Sequence, residues 1–119
     1  MRQRKERSAI INISSCTGKF VCPILSTYPA SKRMINVYSD YLRQENSDKI
    51  DVMTVWPFGV TTPMMRMTKN YATITPDVCA RSIIADLLGG NLQTFGGLPH
   101  KFFGKIFEGL SEQEGATRF

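Results

Sequence analysis

The chain has 119 residues, of which 42% are hydrophobic and 21% are charged, and its formal net charge is +5. This composition is typical of one globular domain or a part of one, and it excludes a disordered or collagen-like chain. The positive charge is concentrated at the start, where Arg2, Arg4, Lys5 and Arg7 stand against Glu6. Because no aromatic-rich stretch accompanies this run, we interpret it as a solvated surface segment and predict no nucleic-acid partner.

The cysteine and histidine content argues against a metal site. Cys16, Cys22 and Cys79 form no Cys-x-x-Cys pair, and His100 is the only histidine in the sequence. We therefore predict no bound metal, and reduced thiols in a reducing compartment such as the cytoplasm. The sequence has no apolar run of about 18 residues, so it predicts no transmembrane helix. Its charged start is not followed by the apolar core of a signal peptide.

A short run of β-branched residues at 9–14 predicts the first element, a buried strand that ends in small polar side chains. Residues 16–26 follow as a loop that contains a glycine and a proline. A helix is predicted over residues 27–46, because Pro29 suits its first turn. Apolar side chains also recur there at helical spacing, namely Met34, Val37, Tyr38, Tyr41 and Leu42.

A second apolar run at residues 50–56 predicts a second strand, which Pro57 ends. Two apolar strands that flank a long helix form a β-α-β unit, with parallel pairing and a right-handed crossover. A loop rich in threonine and methionine is predicted over residues 57–71. Beyond it, Thr75 and the following proline are a helix-start signal, and two glycines at 89–90 mark the end of that helix.

The last part of the chain predicts a short third strand at 94–95, a final helix at 98–110 and a loose tail at 111–119. Two firm strands and a short third one are fewer than a doubly wound sheet contains. The pattern therefore predicts an incomplete α/β sheet covered by helices.

Three polar features converge on one edge of this sheet, because the carboxyl ends of parallel strands meet there. Ser15 follows the first strand, Pro57 follows the second, and Tyr28 lies at the start of the connecting helix. Lys32 comes four residues after Tyr28, so both side chains project from one helix face. An ammonium group beside a tyrosine favours the phenolate, as does the positive end of the helix dipole.

Such a tyrosine can give a proton to a carbonyl oxygen or take one from it, and Ser15 can hydrogen-bond the same oxygen. A Tyr-x-x-x-Lys pair alone is a weak signal, because an ordinary amphipathic helix surface produces one by chance. The combination favours catalysis: a serine at a strand end lies thirteen residues before the tyrosine, and a proline turn follows the next strand.

Three segments carry a resemblance to a known family: residues 11–15 (Ile-Asn-Ile-Ser-Ser), 28–32 (Tyr-Pro-Ala-Ser-Lys) and 57–62 (Pro-Phe-Gly-Val-Thr-Thr). They resemble the second half of the short-chain dehydrogenase/reductase family, and the likeness covers nearly the whole chain. The basic lead-in, and Phe58 directly after the proline, are most similar to the very-long-chain 3-oxoacyl-CoA reductases and related 17β-hydroxysteroid dehydrogenases. The fold implied is α/β, the C-terminal portion of a Rossmann-like doubly wound parallel sheet, with residues 1–119 as a partial domain.

The resemblance implies roles for the residues at the sheet edge. Ser15 would orient the substrate carbonyl, Tyr28 would be the catalytic acid and base, and Lys32 would favour the phenolate and hold the nicotinamide ribose. The cofactor implied is NADPH, bound by Tyr28, Lys32 and the segment that starts at Pro57. In that segment Val60, through its backbone, and Thr62 would meet the nicotinamide carboxamide.

The resemblance also implies a substrate loop over residues 61–71. Its methionines, Met64, Met65 and Met67, suit an apolar acyl-CoA or steroid substrate, and filling of the protein core is the equally weighted alternative. The reaction implied is reduction of a 3-oxoacyl-CoA or a ketosteroid, and the location implied is the endoplasmic reticulum.

The sequence departs from the family pattern in its nucleotide-binding features. It contains no Gly-x-x-x-Gly-x-Gly turn, no Asn-Ala-Gly segment and no asparagine that would complete the family's proton relay. The branch's N-terminal membrane anchor is not found either. We therefore expect the N-terminal nucleotide-binding half to be missing, and this chain alone to be inactive and unable to bind NADPH.

Two alternatives concern partners. The chain would be a non-catalytic interaction protein if its Tyr/Lys helix associates with a full-length relative, as a homo- or heterodimer, through an exposed apolar stripe. The final helix has an apolar face beside two lysines, which fits either a membrane surface or packing against the sheet, and packing is favoured. That face consists of Leu98, Phe102, Phe103, Ile106, Phe107 and Leu110.

Overall fold

The computed structural model describes residues 5–21, 26–65 and 70–116. Within them, helices and strands alternate along the chain as an α/β fold. The strands are β1 (Ser8–Ile13), β2 (Ile50–Val55), β3 (Gly59–Val60), β4 (Thr73–Ile74) and β5 (Gln93–Thr94). The helices are α1 (Cys16–Lys19), α2 (Thr27–Asn46), α3 (Pro76–Leu88) and α4 (Leu98–Ala116).

The predicted β-α-β unit is confirmed. β1 and β2 pair in parallel, with Ser8 opposite Ile50 and Ile13 opposite Val55, and α2 connects them. β2 pairs in parallel with β5 on its other side, so the strand order of the main sheet is β1-β2-β5. The carboxyl ends of β1 and β2 therefore lie side by side, which places the residues after each strand at one edge.

β2 is the central strand, and its side chains alternate between two buried environments. Met53 and Val55 are fully buried in a core with Ile74, Cys79 and Ile83. On the opposite face Trp56, directly after the strand, donates from its indole nitrogen to the Asn36 side chain of α2 over 2.9 Å. Tight packing on both faces makes β2 the best-buried element of the main sheet.

The prediction of a buried first strand is wrong for one face of β1. Asn12 hydrogen-bonds Ser39 of α2 over 2.9 Å, so the alternate residues Ile11 and Ile13 point away from that helix. They are partly exposed, Ile13 by 49%. β1 is an edge strand among the described residues. Its β-branched composition indicates a strand, but it does not indicate whether one or both faces of that strand are covered.

The connections contain short elements that local patterns did not predict. Residues 16–19, expected as loop, form α1. The predicted loop at 57–71 contains β3, which pairs in parallel with β4 in a separate two-stranded sheet. The Thr61 amide extends this pairing by donating to the Ile74 carbonyl over 2.9 Å. Such pairings join residues far apart in sequence, so local composition does not reveal them.

α3 has the predicted ends. The Thr75 hydroxyl caps its first turn by accepting from the Val78 amide over 3.4 Å. At its other end Gly90 adopts a φ of 81°, a left-handed conformation that glycine takes without a Cβ penalty. β5 follows at residues 93–94, one residue earlier than predicted.

α4 is longer than predicted, because it continues to Ala116 and does not end at residue 110. Residues 112–114 (Glu-Gln-Glu) have good helix propensity, and no proline interrupts them. The expected loose tail at 111–119 is thus helical as far as 116, and residues 117–119 lie outside the described residues. The prediction that the apolar face of this helix packs against the sheet is wrong for most of that face. Phe103 is half-buried, whereas the other members are exposed, namely Leu98, Phe102, Ile106, Phe107 and Leu110. The buried residues of α4 are instead His100 and Gly104.

Candidate functional site at the carboxyl edge of the sheet

Ser15 lies at the carboxyl end of β1 in extended conformation and caps α1. Its hydroxyl oxygen accepts hydrogen bonds from the Thr17 amide (3.3 Å) and the Thr17 hydroxyl (3.0 Å). The next residue, Cys16, donates its amide to the Pro57 carbonyl over 3.1 Å. Ser15 is therefore held at the β1 and β2 strand ends. Within the described residues its hydroxyl donates only to the Cys16 sulfur, in a long contact of 4.0 Å, so a ligand oxygen would be a stronger acceptor for this proton.

Tyr28 and Lys32 lie on one face in the first turns of α2. The Lys32 ammonium nitrogen is 5.5 Å from the centroid of the Tyr28 ring, and the tyrosine is 49% exposed. The same nitrogen lies 3.5 Å from the Ile13 carbonyl at the end of β1. The i to i+4 spacing thus brings the phenol and the ammonium together at the sheet edge, as predicted.

A close approach of α1 to α2 fixes Lys32 relative to Ser15. A Cβ on Gly18 would lie 2.7 Å from the Lys32 Cβ, so only glycine fits at this point of contact. The Ser14 hydroxyl donates to the Lys32 backbone carbonyl over 2.9 Å. Among the hydrogen bonds of the described residues, none joins the Ser15 side chain to Tyr28 or Lys32. The three residues share an edge, and the serine hydroxyl points to α1.

The segment after β2 runs along the same edge. The Pro57 carbonyl lies at this edge, where it accepts the hydrogen bond from the Cys16 amide. Val60 lies in β3 and packs against the buried core. Thr62 follows β3, is half-buried, and accepts from the Met65 amide over 3.1 Å. Pro57 thus lies beside the end of β1, whereas Val60 packs on the core of the sheet. Their role in binding a cofactor stays a prediction.

Comparison with known proteins identifies the family of this chain. The family model described as short chain dehydrogenase matches residues 1–72, a span that contains Ser15, Tyr28, Lys32 and the Pro57 to Thr62 segment. The chain belongs to the short-chain dehydrogenase family. The resemblance stated from its motifs is confirmed.

Relatives within the short-chain dehydrogenases agree with the branch that the sequence indicated. The chain is 36% identical over 110 residues to 17-beta-hydroxysteroid dehydrogenase type 3 of Danio rerio, covering 91% of this chain and 36% of the relative. It is 36% identical over 105 residues to a very-long-chain 3-oxoacyl-CoA reductase of Anas platyrhynchos, covering 87% of this chain and 33% of the relative. The chain thus spans about a third of the length of these curated relatives.

Among solved structures, a short chain dehydrogenase of Burkholderia cenocepacia in complex with NADP has a similar fold. Its TM-score is 0.74 at 24% identity, and the match covers 92% of this chain and 45% of that one. This confirms the Rossmann-like α/β fold class of a short-chain dehydrogenase.

The predicted substrate methionines are only partly described. Met64 is 91% exposed in the turn after Thr62, so it is not a core residue, and Met65 is also exposed. Met67 and the other residues of 66–69 lie outside the described residues. The role of this segment in binding substrate stays a prediction.

Sequence reasoning missed several residues of this short-chain dehydrogenase edge. Thr17 orients the Ser15 hydroxyl, the Ile13 carbonyl receives Lys32, and Gly18 allows the helices to meet. His100, considered only as a metal ligand, lies fully buried against the backbone of the segment after β2. The i+2 spacing of Thr17 from an N-cap serine was a usable signal, whereas the contact of His100 with Phe58 spans 42 residues.

Other predicted features give no further functional group. No cluster of three metal-ligating side chains occurs within residues 5–21, 26–65 and 70–116. Burial raises the pKa of the Cys79 thiol, and Cys22 lies outside the described residues. In the same described segments, no helix has the length and hydrophobicity to cross a membrane.

Proposed function

We propose that this chain forms the catalytic edge of an oxidoreductase that reduces the carbonyl of a 3-oxoacyl-CoA or a ketosteroid with NADPH. The observation that carries the proposal is the placement of Tyr28 and Lys32 on one helix face, 5.5 Å from ring centroid to ammonium, at the end of the strand that Ser15 follows. The names of the relatives supply the substrate class, and the endoplasmic reticulum is the location that we propose from the family resemblance.

The three side chains have complementary tasks. Tyr28 is half exposed, so a ligand can reach its hydroxyl, which gives a proton to the carbonyl oxygen. The Ser15 hydroxyl exchanges its long contact with the Cys16 sulfur for a hydrogen bond to the same oxygen and holds that oxygen in place. Lys32 is the cation beside Tyr28 on this helix face, with its ammonium nitrogen 5.5 Å from the centroid of the Tyr28 ring.

The residues of this edge fit the nicotinamide end of NADPH. The Lys32 ammonium has three donors, and among the described residues its hydrogen bond is one long contact of 3.5 Å to the Ile13 carbonyl, so we propose that its other donors meet the ribose hydroxyls. Val60 and Thr62 are the groups proposed to meet the carboxamide. The cofactor, when bound, supplies hydride to the carbonyl carbon. Because the sequence has no Gly-x-x-x-Gly-x-Gly turn, we propose that NADPH binding needs a nucleotide-binding half in addition to this chain.

The test compares tyrosines on α2. The chain is joined to the segment that precedes the matched region in the Danio rerio relative, and NADPH oxidation is followed with 3-oxoacyl-CoA and ketosteroid substrates. Tyr28→Phe is expected to lower kcat by about 10²- to 10⁴-fold with NADPH affinity nearly unchanged. Tyr38→Phe, which removes a hydroxyl from an exposed position of the same helix, is the control and should change neither value. Near-normal turnover in Tyr28→Phe would contradict the assignment.

A second function is favoured by one observation, the outer face of α2. Met34, Val37, Tyr38 and Tyr41 are exposed there and line a shallow apolar groove with Ala30 and Arg33. We propose that, if the joined protein has no NADPH-dependent activity, the chain acts as a non-catalytic partner that pairs through this face with a second copy or a full-length relative.

Sedimentation analysis of the 119-residue chain, alone and mixed with the Danio rerio relative, tests this second function. Tyr38→Glu should abolish association, because it introduces a charge into the centre of the apolar stripe. Val78→Glu, an exposed apolar position on α3, is the matched control and should leave association intact. Monomeric behaviour of the unmodified chain in both samples would rule this function out.

A further inference from the structure

His100 is a buried titratable side chain that the proposed mechanism does not use. It lies in the first turn of α4 with 0% of its surface exposed. Its Nδ1 atom is 3.3 Å from the Phe58 amide nitrogen, and its Nε2 atom is 3.1 Å from the Gly59 carbonyl and 3.2 Å from the Ala72 carbonyl. The imidazole therefore contacts the backbone of the residue before β3, of the first residue of β3 and of the residue before β4.

The surrounding groups determine which nitrogen carries the proton. A backbone amide can only donate, so Nδ1 accepts from Phe58, and the single proton of a neutral ring is then on Nε2. From there it is donated to the Gly59 and Ala72 carbonyls. The Phe95 carbonyl, 3.2 Å from Nδ1, would receive a proton only if Nδ1 were protonated, and the Phe58 amide would then lose its acceptor. Burial lowers the pKa of His100, which agrees with the neutral form.

The strands that His100 contacts need support from outside. β3 and β4 have two residues each, and a ladder of that length is not stable by itself in water. Aromatic packing adds to the hydrogen bonds, since the Phe58 ring lies 5.6 Å from the His100 ring and 5.9 Å from that of Phe107. α4 thus contacts this small sheet through the imidazole and the rings beside it.

We propose that His100 is a positioning residue that holds the Phe58–Val60 backbone where it can meet the nicotinamide carboxamide, using Nδ1 as acceptor and Nε2–H as donor. The inference rests on the proposed function for the role of Val60 and extends it to a residue on another element. His100 touches neither substrate nor cofactor; it acts through the backbone of β3.

The first test is spectroscopic and uses the unmodified 119-residue chain. Ring nitrogen shifts at neutral pH should report the neutral Nε2–H tautomer, and the Phe58 amide should be protected from hydrogen exchange. In His100→Asn, whose side-chain oxygen can replace Nδ1 as acceptor, the protection of Phe58 should be retained. In His100→Phe it should be lost at residues 58–60 and 72–74 and retained in β2. An Nδ1–H tautomer, a charged ring, or loss of protection throughout the chain would overturn the proposal.

The second test measures cofactor use in the joined protein described above. His100→Phe should raise the KM for NADPH by about three- to tenfold, the effect of losing a buried hydrogen bond, with a smaller change in kcat. In His100→Asn the KM for NADPH should stay close to that of the unmodified joined protein. An unchanged KM in a folded His100→Phe protein would contradict the inference. If the joined protein shows no activity at all, the proposed function fails, whereas the tautomer and exchange data still decide whether His100 holds this backbone.

Discussion

Two regions of the chain differ in how completely their apolar side chains are covered. β2, α3, β5 and the start of α4 enclose Met53, Val55 and Ile83, all of them buried. β1 and α2 instead leave Ile13 49% exposed and Tyr38 61% exposed. Both regions contribute to the candidate site, and they contribute different things.

The exposed region carries the proposed catalytic groups, Tyr28 and the ammonium of Lys32 beside it. The buried region carries the backbone segment proposed to meet the cofactor, from Pro57 to Val60, with His100 behind it. The edge thus combines an accessible helix end, at the start of α2, with a loop that is packed against α4. It also indicates that stability resides mainly in β2 and the elements packed on it.

The largest contrast is expected from truncating one side chain in each region. Met53→Ala should lower the free energy of unfolding by about 2–5 kcal/mol, because it removes a fully buried side chain and leaves a cavity. Ile13→Ala, at a half-exposed position of the neighbouring strand, should cost less than about 1.5 kcal/mol. Urea denaturation followed by tryptophan fluorescence measures both. Equal losses of unfolding free energy in the two variants would contradict the difference in burial between β2 and β1.

A second contrast lies within α4. Gly104→Ala would place a methyl group into the buried Phe95 ring, so we expect destabilisation by about 1–3 kcal/mol from overpacking. Gly109→Ala meets no atom within 4 Å and should stabilise the helix by up to about 1 kcal/mol through its better propensity. Thermal unfolding of the two variants should therefore shift in opposite directions. A gain in both would mean that α4 does not pack on Phe95.

The buried region should also respond to pH near neutrality. Because the folded-state pKa of His100 is lowered, the unfolded chain binds a proton first as the pH falls. The contribution of neutral His100 to stability should be fully present above its unfolded-state pKa of about 6.5. Below that pH the free energy of unfolding should decrease by at most about 1.4 kcal/mol per pH unit, until the folded group titrates. Denaturation midpoints at pH 7.5 and 5.5 measure this. His100→Phe should show no such decrease, and a decrease of equal size would assign it to another group.

The smallest effect is expected at the exposed end of β1. The Arg7 guanidinium donates to the Asp51 carboxylate over 2.5 Å and lowers the pKa of that carboxyl. Stability from this pair is present above the unfolded pKa of Asp51 and is lost only as the pH falls through the lower folded value. Asp51→Asn should therefore flatten the pH dependence below pH 4 slightly and leave it unchanged between pH 5 and 7. The measurement is the same denaturation series, and a change near pH 6 would contradict this assignment.

The predictions from sequence succeeded where the signal was local. The strands and the helix of the β-α-β unit, the Thr75 cap and the glycine stop at Gly90 were each predicted from short stretches of sequence, and the parallel pairing of β1 with β2 followed from the general rule for such units. The pairing of Tyr28 with Lys32 is of the same kind, because one helical turn determines it. Predictions failed where burial or pairing depended on distant residues, as for the exposed face of β1 and the β3–β4 pair.

The sequence by itself determined the α/β class, the family and the residues at the sheet edge, since periodicity, caps and motif spacing are properties of short stretches. Only the tertiary structure decided how that edge is held. Gly18 meets Lys32 across 14 residues, and His100 meets Phe58 across 42. Such contacts form because packing brings separate elements within hydrogen-bonding distance, and no local pattern in either segment carries that information.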